Sequence, residues 1–223
     1  MMIRAPPKKI KNVKTDIKKF LNRKKSTARQ AASVIGKIGA LSEALFPTRV
    51  HMAHIQQWKL HLLTRGCDHE EAAPQAAREE PEHLKEMNGV SLLPVKCEVT
   101  AGTNASDFGW GAWIQPSDGI KQSFGGFFPK EVVDEHINYK ELLAIKLLLL
   151  SSEEQLRGKT ISIGTDNITT MYYANRLGGR KFLLTKLATE IWSILDKLKA
   201  KIRVEFVPGR TVWRTRSLEG SYG

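Results

Sequence analysis

The order of strand-like and helix-like segments after Pro94 constrains the fold of this chain more than any other feature. Three stretches of alternating apolar residues come first, separated by Gly, Asp and Pro turns. A helical stretch, a strand, two helical stretches and a last strand follow. The segments are residues 95–106, 109–116, 120–129, 138–156, 159–166, 167–179, 181–199 and 201–209. This βββαβααβ order predicts an α/β fold whose mixed sheet joins a three-strand meander to parallel strands, with flanking helices.

A separate helical module is predicted upstream. Thr27 and Gln30 fit a capping box, and apolar residues then recur at helical spacing until Pro47. A second helix is predicted over residues 49–63, and the lysine-rich residues before Thr27 are expected to be partly ordered at best. The predicted organisation is a basic N-terminal arm (1–26), a helical hairpin (27–66), an acidic Ala/Pro-rich linker (67–93), the α/β domain (94–210) and a divergent C-terminal tail (211–223).

The chain is basic, with a net charge of +12 and a pI near 9.7. Residues 1–30 hold 11 Lys or Arg against Asp16, a net +10, and residues 197–216 hold seven against Glu205, a net +6. Two basic ends favour a polyanionic partner, because each cation that neutralises a phosphate releases a counterion. A solubilising tail stays open as an alternative. An anionic membrane fits less well, because the basic stretch has no strong aromatic or leucine face.

The sequence also bears on the compartment. No uninterrupted apolar run is long enough for a transmembrane helix, and the N-terminus is charged and lacks an apolar signal core. The two cysteines, Cys67 and Cys97, form no metal-type pair. We therefore expect an intracellular protein, with nucleus and cytoplasm not distinguished.

Polar side chains end two strands of the predicted sheet. If the first and fourth strands are parallel neighbours, Asn104 and Asp166 lie roughly 5 Å apart at the carboxyl edge, where α/β sheets bind ligands. Glu141, near the start of the buried helix, is expected to point toward the same edge. Clustered oxygen donors suit Mg²⁺, and two such ions can hydrolyse a phosphodiester. The neutral amide of Asn104 weakens that two-ion interpretation, and simple helix and strand capping stays open.

Four motifs carry a resemblance to a known family. In this order and spacing, "TNASDFGWGAW", "HINYKELLAI", "TDNITTMYYANRLGG" and "VEFVPG" resemble the RNase H domain of reverse transcriptases from DIRS-type (tyrosine-recombinase) retrotransposons. The upstream stretch "STARQAASVIGKIGALSEALFPTRVHMAHIQQWK" resembles the thumb-like helical segment of the same proteins. The resemblance implies an RNase H-like fold that cleaves the RNA strand of an RNA–DNA hybrid with Mg²⁺. It also implies that Glu141 and Asp166 are two of four catalytic, metal-binding acids.

The chain departs from the family at two of those four acids. The family has Asp where this chain has Asn104, and the family's frame, kept through Leu218, puts Arg216 where the last acid belongs. We therefore expect a degenerate copy that binds RNA–DNA hybrid or duplex, with Mg²⁺-dependent hydrolysis weak or lost and no polymerase activity. An active ribonuclease H, a non-functional relic and a protein-interaction scaffold remain alternatives.

Basic and aromatic side chains complete the set of candidates. The predicted nucleic-acid-binding residues are Lys8, Lys9, Lys24 and Lys25 in the arm and Arg176, Arg180 and Lys181 after the short helix. The resemblance places the last three near the hybrid backbone, and a solvated loop is an equal alternative. The aromatic residues Trp110, Trp113, Phe127 and Phe128 are open between nucleobase platforms and core positions, and strand alternation favours the core or sheet face.

Overall fold

The chain forms two compact units, Met1–Pro94 and Val95–Gly223. The computed structural model describes residues 2–42, 44, 52–66, 69–73, 90–91, 96–179 and 181–208. Arg180, Arg216 and the predicted tail lie outside these residues.

The described part of the N-terminal unit is built on helices α1 (Pro7–Leu21), α2 (Ala28–Gly39) and α3 (Ala53–Thr64). The predicted capping box is present at the start of α2. The backbone N–H of Gln30 donates to Thr27 Oγ1 at 3.4 Å, and that of Thr27 donates to Gln30 Oε1 at 3.3 Å. Because these two bonds satisfy both backbone N–H groups of the capping box, the backbone changes from extended to helical at this point.

Helix α1 differs from the sequence expectation. The predicted arm was to be partly ordered, but Pro7–Leu21 is one 15-residue helix. Its buried side chains are Ile10, Val13, Ile17, Phe20 and Leu21. They join one hydrophobic cluster with α2 and α3, in which the Phe20 and Trp58 rings lie 5.5 Å apart between centroids. Burial of this stripe stabilises the helix despite its many lysines.

The predicted linker also contributes structure to the N-terminal unit. Glu71 exchanges two backbone hydrogen bonds with Ser26, the residue before the α2 cap. Strands β1 (Met2–Ile3) and β2 (Val90–Ser91) form an antiparallel pair. Residues from both sides of the predicted hairpin therefore belong to the same unit.

The second unit contains a five-stranded mixed sheet in the order β5-β4-β3-β6-β7. Strand β4 (Gly109–Pro116) is antiparallel to β3 (Val99–Ala105) and to β5 (Gln122–Phe127). Strand β6 (Thr160–Thr165) is parallel to β3 and to β7 (Lys201–Phe206). The predicted fold class, a mixed sheet with flanking helices after a small helical module, is confirmed.

Helices connect the strands and bury the sheet. Helix α4 (Lys130–Val133), α5 (Ile137–Ser151) and α6 (Glu153–Leu156) precede β6, and α7 (Ile168–Arg176) and α8 (Phe182–Leu198) precede β7. Helix α5 is apolar almost all round, which predicts that most of its surface is buried. It packs on β3, β4 and α8, in agreement with that prediction. Among the described residues, no helix is long and apolar enough to cross a membrane.

Candidate active site

Strands β3 and β6 bring two sequence-predicted residues to one edge of the sheet. The parallel register pairs Val99 with Ile161 and Gly102 with Gly164. Asn104 lies two residues beyond Gly102 on β3, and Asp166 lies two residues beyond Gly164, directly after β6 ends, so both follow the same register to the carboxyl edge. Asn104 is half-buried and Asp166 is exposed. The two strand ends therefore form an open corner that solvent and a ligand can reach.

Glu141 closes this corner from the helix side. Its side chain is only 3% exposed, and its Oε1 accepts a hydrogen bond from the Ala105 backbone N–H at 2.8 Å. Its second oxygen, Oε2, is buried without a hydrogen-bond partner. An unsatisfied buried carboxylate oxygen costs free energy unless a cation or a proton satisfies it.

The electrostatics of Glu141 reflect this position. Burial raises the pKa of Glu141 from its ordinary value of 4.5 to about 7, the Ala105 hydrogen bond opposes that rise, and the charge of Asp166 adds to it. Glu141 and Asp166 therefore repel each other when both are ionised. A cation between them would remove the repulsion and lower the pKa of Glu141.

A pair of asparagines, which the sequence analysis did not identify, holds the two carboxylate-bearing elements together. The side chain of Asn167 caps α7 by accepting from the Thr170 backbone N–H at 2.9 Å. Its amide also donates to Asn138 Oδ1, on the first turn of α5, at 2.8 Å. Asn167 as a helix cap is readable from its position before a helix. No local signal predicts its bond to Asn138, which joins residues 29 positions apart.

Lys140 is a second feature that the sequence analysis missed. It is 3% exposed, and its Nζ donates to the backbone carbonyls of Asp107 at 2.9 Å and Val133 at 2.7 Å. Asp107 lies in the β3–β4 turn, shortly after Asn104 and Ala105. Lys140 therefore fastens the turn that follows the candidate corner, while its neighbour Glu141 bonds the end of β3.

A groove of about 400 Å³ adjoins the corner. Asn104 and Phe127 are among the residues that line it. The rest of the lining consists of Ala105, Ser106, Gly109, Trp110, Gly111, Gly125 and Gly126. Phe127 is 90% exposed, whereas the neighbouring Phe128 is buried in the core. The two adjacent aromatic residues thus have different environments, and only Phe127 is available to a ligand.

The structure places the predicted basic residues at separate points. Lys8 and Lys9 are exposed on the first turn of α1, and Lys24 and Lys25 are exposed just after its end. At 1.5 Å per residue, the two lysine pairs lie at opposite ends of a helix about 22 Å long. They can contact different phosphates of one polyanion, but they do not form one cluster.

The basic residues of the second unit lie around the α7–α8 turn. The guanidinium of Arg176, at the end of α7, lies 4.8 Å from the centroid of the Tyr172 ring. Lys181 precedes α8, and its backbone N–H donates to the Tyr173 hydroxyl at 2.8 Å. Both basic side chains are exposed.

The corner fits one magnesium ion better than two. Mg²⁺ takes oxygen ligands and is commonly held by one or two carboxylates together with waters and substrate phosphates. The unpartnered oxygen of Glu141 is a suitable ligand, and Asp166 and the Asn104 amide would supply further oxygens. In the described ranges, no three His, Cys, Asp or Glu side chains group into a metal site. The described donors are two carboxylates and one neutral amide, whose charge balances one divalent ion but not two.

Comparisons with known proteins give distant likenesses. No family model and no curated protein matches the chain. RNase H1 from the archaeon Halobacterium salinarum is 16% identical, with a TM-score of 0.44, and the match covers 52% of this chain and 90% of that one. LC11-RNase H1, isolated from compost and solved with an RNA/DNA hybrid, is 12% identical with a TM-score of 0.41 and covers 52% and 90%.

A second group of matches extends over both units. The foamy viral protease-reverse transcriptase in complex with dsDNA is 14% identical, with a TM-score of 0.38, over 89% of this chain and 41% of that one. This chain therefore spans less than half of that protein. With TM-scores below 0.5, these likenesses carry no argument about activity, substrate or partner.

Proposed function

We propose that this chain is an RNase H-like nucleic-acid-binding domain derived from a DIRS-type retrotransposon. It binds RNA–DNA hybrid, and its Mg²⁺-dependent hydrolysis of the RNA strand is weak or lost. The observation that supports the proposal is the corner at the carboxyl edge of the mixed sheet, where Asn104 and Asp166 follow paired strands and Glu141, under the electrostatic influence of Asp166, accepts from the backbone of Ala105.

The buried carboxylate of Glu141 supports a role in binding a cation with a phosphate. Oε1 is held by the Ala105 N–H, so the side chain is oriented, and Oε2 remains available. Glu141, Asp166 and Asn104 would hold the Mg²⁺. The bound ion would activate water and stabilise the leaving oxygen of a phosphodiester.

Asn104 supports the proposal that hydrolysis is impaired. An amide oxygen can bind a cation but brings no negative charge, so the corner attracts divalent ions less strongly than one with a third carboxylate. The resemblance adds Arg216 as a second replacement of opposite charge. The amide at position 104 affects the ion more than the fold, because Asn104 still pairs with Gly111 in the β3–β4 ladder.

Exposed cations support binding to a polyanion. The apolar side of α1 is buried against α2 and α3, which leaves lysines such as Lys8 and Lys9 exposed. This arrangement does not suit insertion into a membrane, where the apolar side must be free. It suits the surface of a nucleic acid, where each cation that meets a phosphate releases a counterion.

The test is a cleavage assay on an RNA–DNA hybrid with labelled RNA in Mg²⁺. Wild type is expected to show little or no cleavage. Asn104→Asp alone restores one ligand, and Asn104→Asp with Arg216→Asp restores both, so we expect cleavage only in the double variant. Adding Glu141→Gln to that variant is the matched control and removes the cleavage. Robust wild-type cleavage that Asp166→Asn abolishes would contradict the proposed loss of hydrolysis.

An active ribonuclease H is the second candidate, and one observation favours it. Glu141 has an oriented, buried carboxylate whose second oxygen has no hydrogen-bond partner, and it lies under the influence of Asp166. Burying such a carboxylate costs folding free energy, and a bound cation would offset that cost. The wild-type cleavage assay separates the two candidates. A relic or a protein-interaction scaffold would bind RNA–DNA hybrid no better than inorganic polyphosphate of equal charge.

A further inference from the structure

The groove beside Asn104 lies on one face of the sheet, and glycines supply much of its lining. In the antiparallel ladders Asn104 pairs with Gly111, and Gly111 pairs with Gly125. Cross-strand partners share a face, so this row crosses three strands and carries a side chain only at Asn104. Adjacent strands are about 4.8 Å apart, which makes the row about 10 Å long.

Aromatic side chains stand on either side of the glycine row. Phe127 pairs with Gly109, one row nearer the carboxyl end of β3, and is 90% exposed. Trp113 stands in the next row on the other side and lies against Gly102, where an added Cβ would meet the indole at 2.5 Å. Trp113 is only 8% exposed, whereas Phe127 is largely exposed. Phe127 is therefore the aromatic side chain that a ligand in the groove would contact.

The lining of the groove suits an uncharged, flat group. It includes no Lys, Arg, Asp or Glu, so a phosphate placed there would lose its hydration without gaining a counter-charge. Phe127 offers a π-face, the glycines allow close approach, and Asn104 offers an amide donor and acceptor. These three features suit a nucleoside.

The position of Asn104 connects this groove to the candidate cation corner. Asn104 lies at one end of the glycine row and also in the corner with Asp166 and Glu141. A strand whose phosphate lies at the corner would place its neighbouring nucleoside over the glycines. The geometry points to a nucleoside subsite, in which the groove holds the sugar and the exposed base edge of one nucleoside of the bound strand and Phe127 packs against that sugar. This inference rests on the proposed function, since it requires a nucleic-acid strand at the corner.

The experiment compares variants of the full chain in two binding assays. The first measures the affinity for a short fluorescein-labelled RNA–DNA hybrid, and the second measures that for labelled inorganic polyphosphate, which has charge but no nucleoside. Phe127→Ala is expected to weaken hybrid binding about tenfold, because the sugar and base edge lose their apolar contact with the ring. Phe127→Tyr is expected to keep the affinity. Polyphosphate binding should not change in either variant.

Ile120→Ala is the matched control. Ile120 is 85% exposed and apolar, but it lies in the β4–β5 turn at the other end of these strands and does not line the groove. Its loss should leave both affinities unchanged, and an equal loss in this variant would refute the groove assignment. An equal fall in hybrid and polyphosphate binding of Phe127→Ala would also refute it, because the change then acts through the fold.

The failure of the subsite differs from the failure of the proposed function. If wild type binds hybrid with strong salt dependence and Phe127→Ala binds equally well, the nucleoside subsite is wrong and the proposed function stands. If wild type does not bind hybrid at any salt concentration, both are wrong. Tight, Phe127-dependent binding of a peptide in place of hybrid would assign the groove to a protein partner and overturn the inference.

Discussion

The substitution Glu141→Gln tests the central electrostatic feature of the corner. In the folded protein burial raises the pKa of Glu141 from 4.5 to about 7. Between these two values the folded state binds more protons than the unfolded state, so the free energy of unfolding falls as pH rises. The shift corresponds to roughly 3 kcal/mol of destabilisation once the group is fully ionised. The effect is absent below the unfolded pKa and complete above pH 7.

The glutamine side chain of this variant cannot ionise, so the variant should lack this loss. Its amide oxygen can still accept the Ala105 N–H, whereas its NH₂ takes the place of the unpartnered Oε2, which adds a cost independent of pH. Urea unfolding of both proteins from pH 4 to pH 8 measures the difference. We expect the variant to gain about 2–3 kcal/mol relative to wild type across that range.

The control for this comparison is Glu154→Gln, at an exposed position on the short helix α6. It removes the same charge where burial is absent. Mg²⁺ adds a second readout, because a ligand that binds only the folded state stabilises it. A difference between wild type and Glu141→Gln that stays constant from pH 4 to pH 8 would refute the reasoning, since the carboxyl would then not be ionising in a desolvated site.

Three further predictions concern the corner, the basic surface and the sheet edge. Asn104→Asp should lower stability without Mg²⁺, because a third carboxylate joins two that already repel, and should increase stabilisation by Mg²⁺ in thermal unfolding; equal responses of both proteins would contradict this. Replacing the four exposed lysines by alanine should make the slope of log affinity against log salt shallower by about 3 to 4, measured by hybrid titration, with helicity retained in circular dichroism. These lysines are Lys8, Lys9, Lys24 and Lys25. Asn175→Ala should cost about 2 kcal/mol in urea unfolding, because Asn175 bonds both backbone groups of Val204 on edge strand β7, and a cost under about 0.5 kcal/mol would contradict that role.

The sheet and its buried helix were predictable because their signals are local. Alternation and Gly, Asp and Pro turns marked β3, β4 and β5, and the nearly all-apolar helix over 138–156 predicted the burial of α5. The parallel pairing of β3 with β6 followed from the element order, since a helical crossover connects parallel strands. The placement of Asn104 and Asp166 at one edge followed from that pairing.

Helix α1 had a local signal, apolar residues recurring every three or four positions from Ile10 to Leu21, but the sequence analysis did not use it. Its composition is dominated by lysine, and the apolar residues at 10, 13, 17, 20 and 21 gain their burial from α2 and α3. A lone amphipathic helix of this length is marginal in water, so its stability is a property of the assembled unit. For this reason the lysine substitutions above are a sharper test than removal of residues 1–25, which would also take away part of a hydrophobic core.

The side-chain hydrogen bonds that hold the corner in place could not be predicted, because they join residues that are distant in sequence. From the sequence, Lys140 would be expected to be a solvated charge on a helix. In the structure its Nζ donates to backbone carbonyls of the β3–β4 turn and of α4. The Asn138–Asn167 bond likewise requires the packing of α5 near β6. Side chains whose partners lie on other elements are visible only after folding.

Asn104 determines how this corner balances stability against function. Glu141 is destabilising when ionised, because it is desolvated and faces Asp166. A carboxylate at position 104 would add to that repulsion unless a cation were bound. The amide therefore avoids a further loss of folding stability, but it binds a cation less strongly than a carboxylate would. The supports of Glu141 remain intact, with the Ala105 bond and the Asn138–Asn167 link both in place. Under the proposed function, an amide at position 104 with these supports around it is expected to favour holding a nucleic-acid strand at this edge over hydrolysing it.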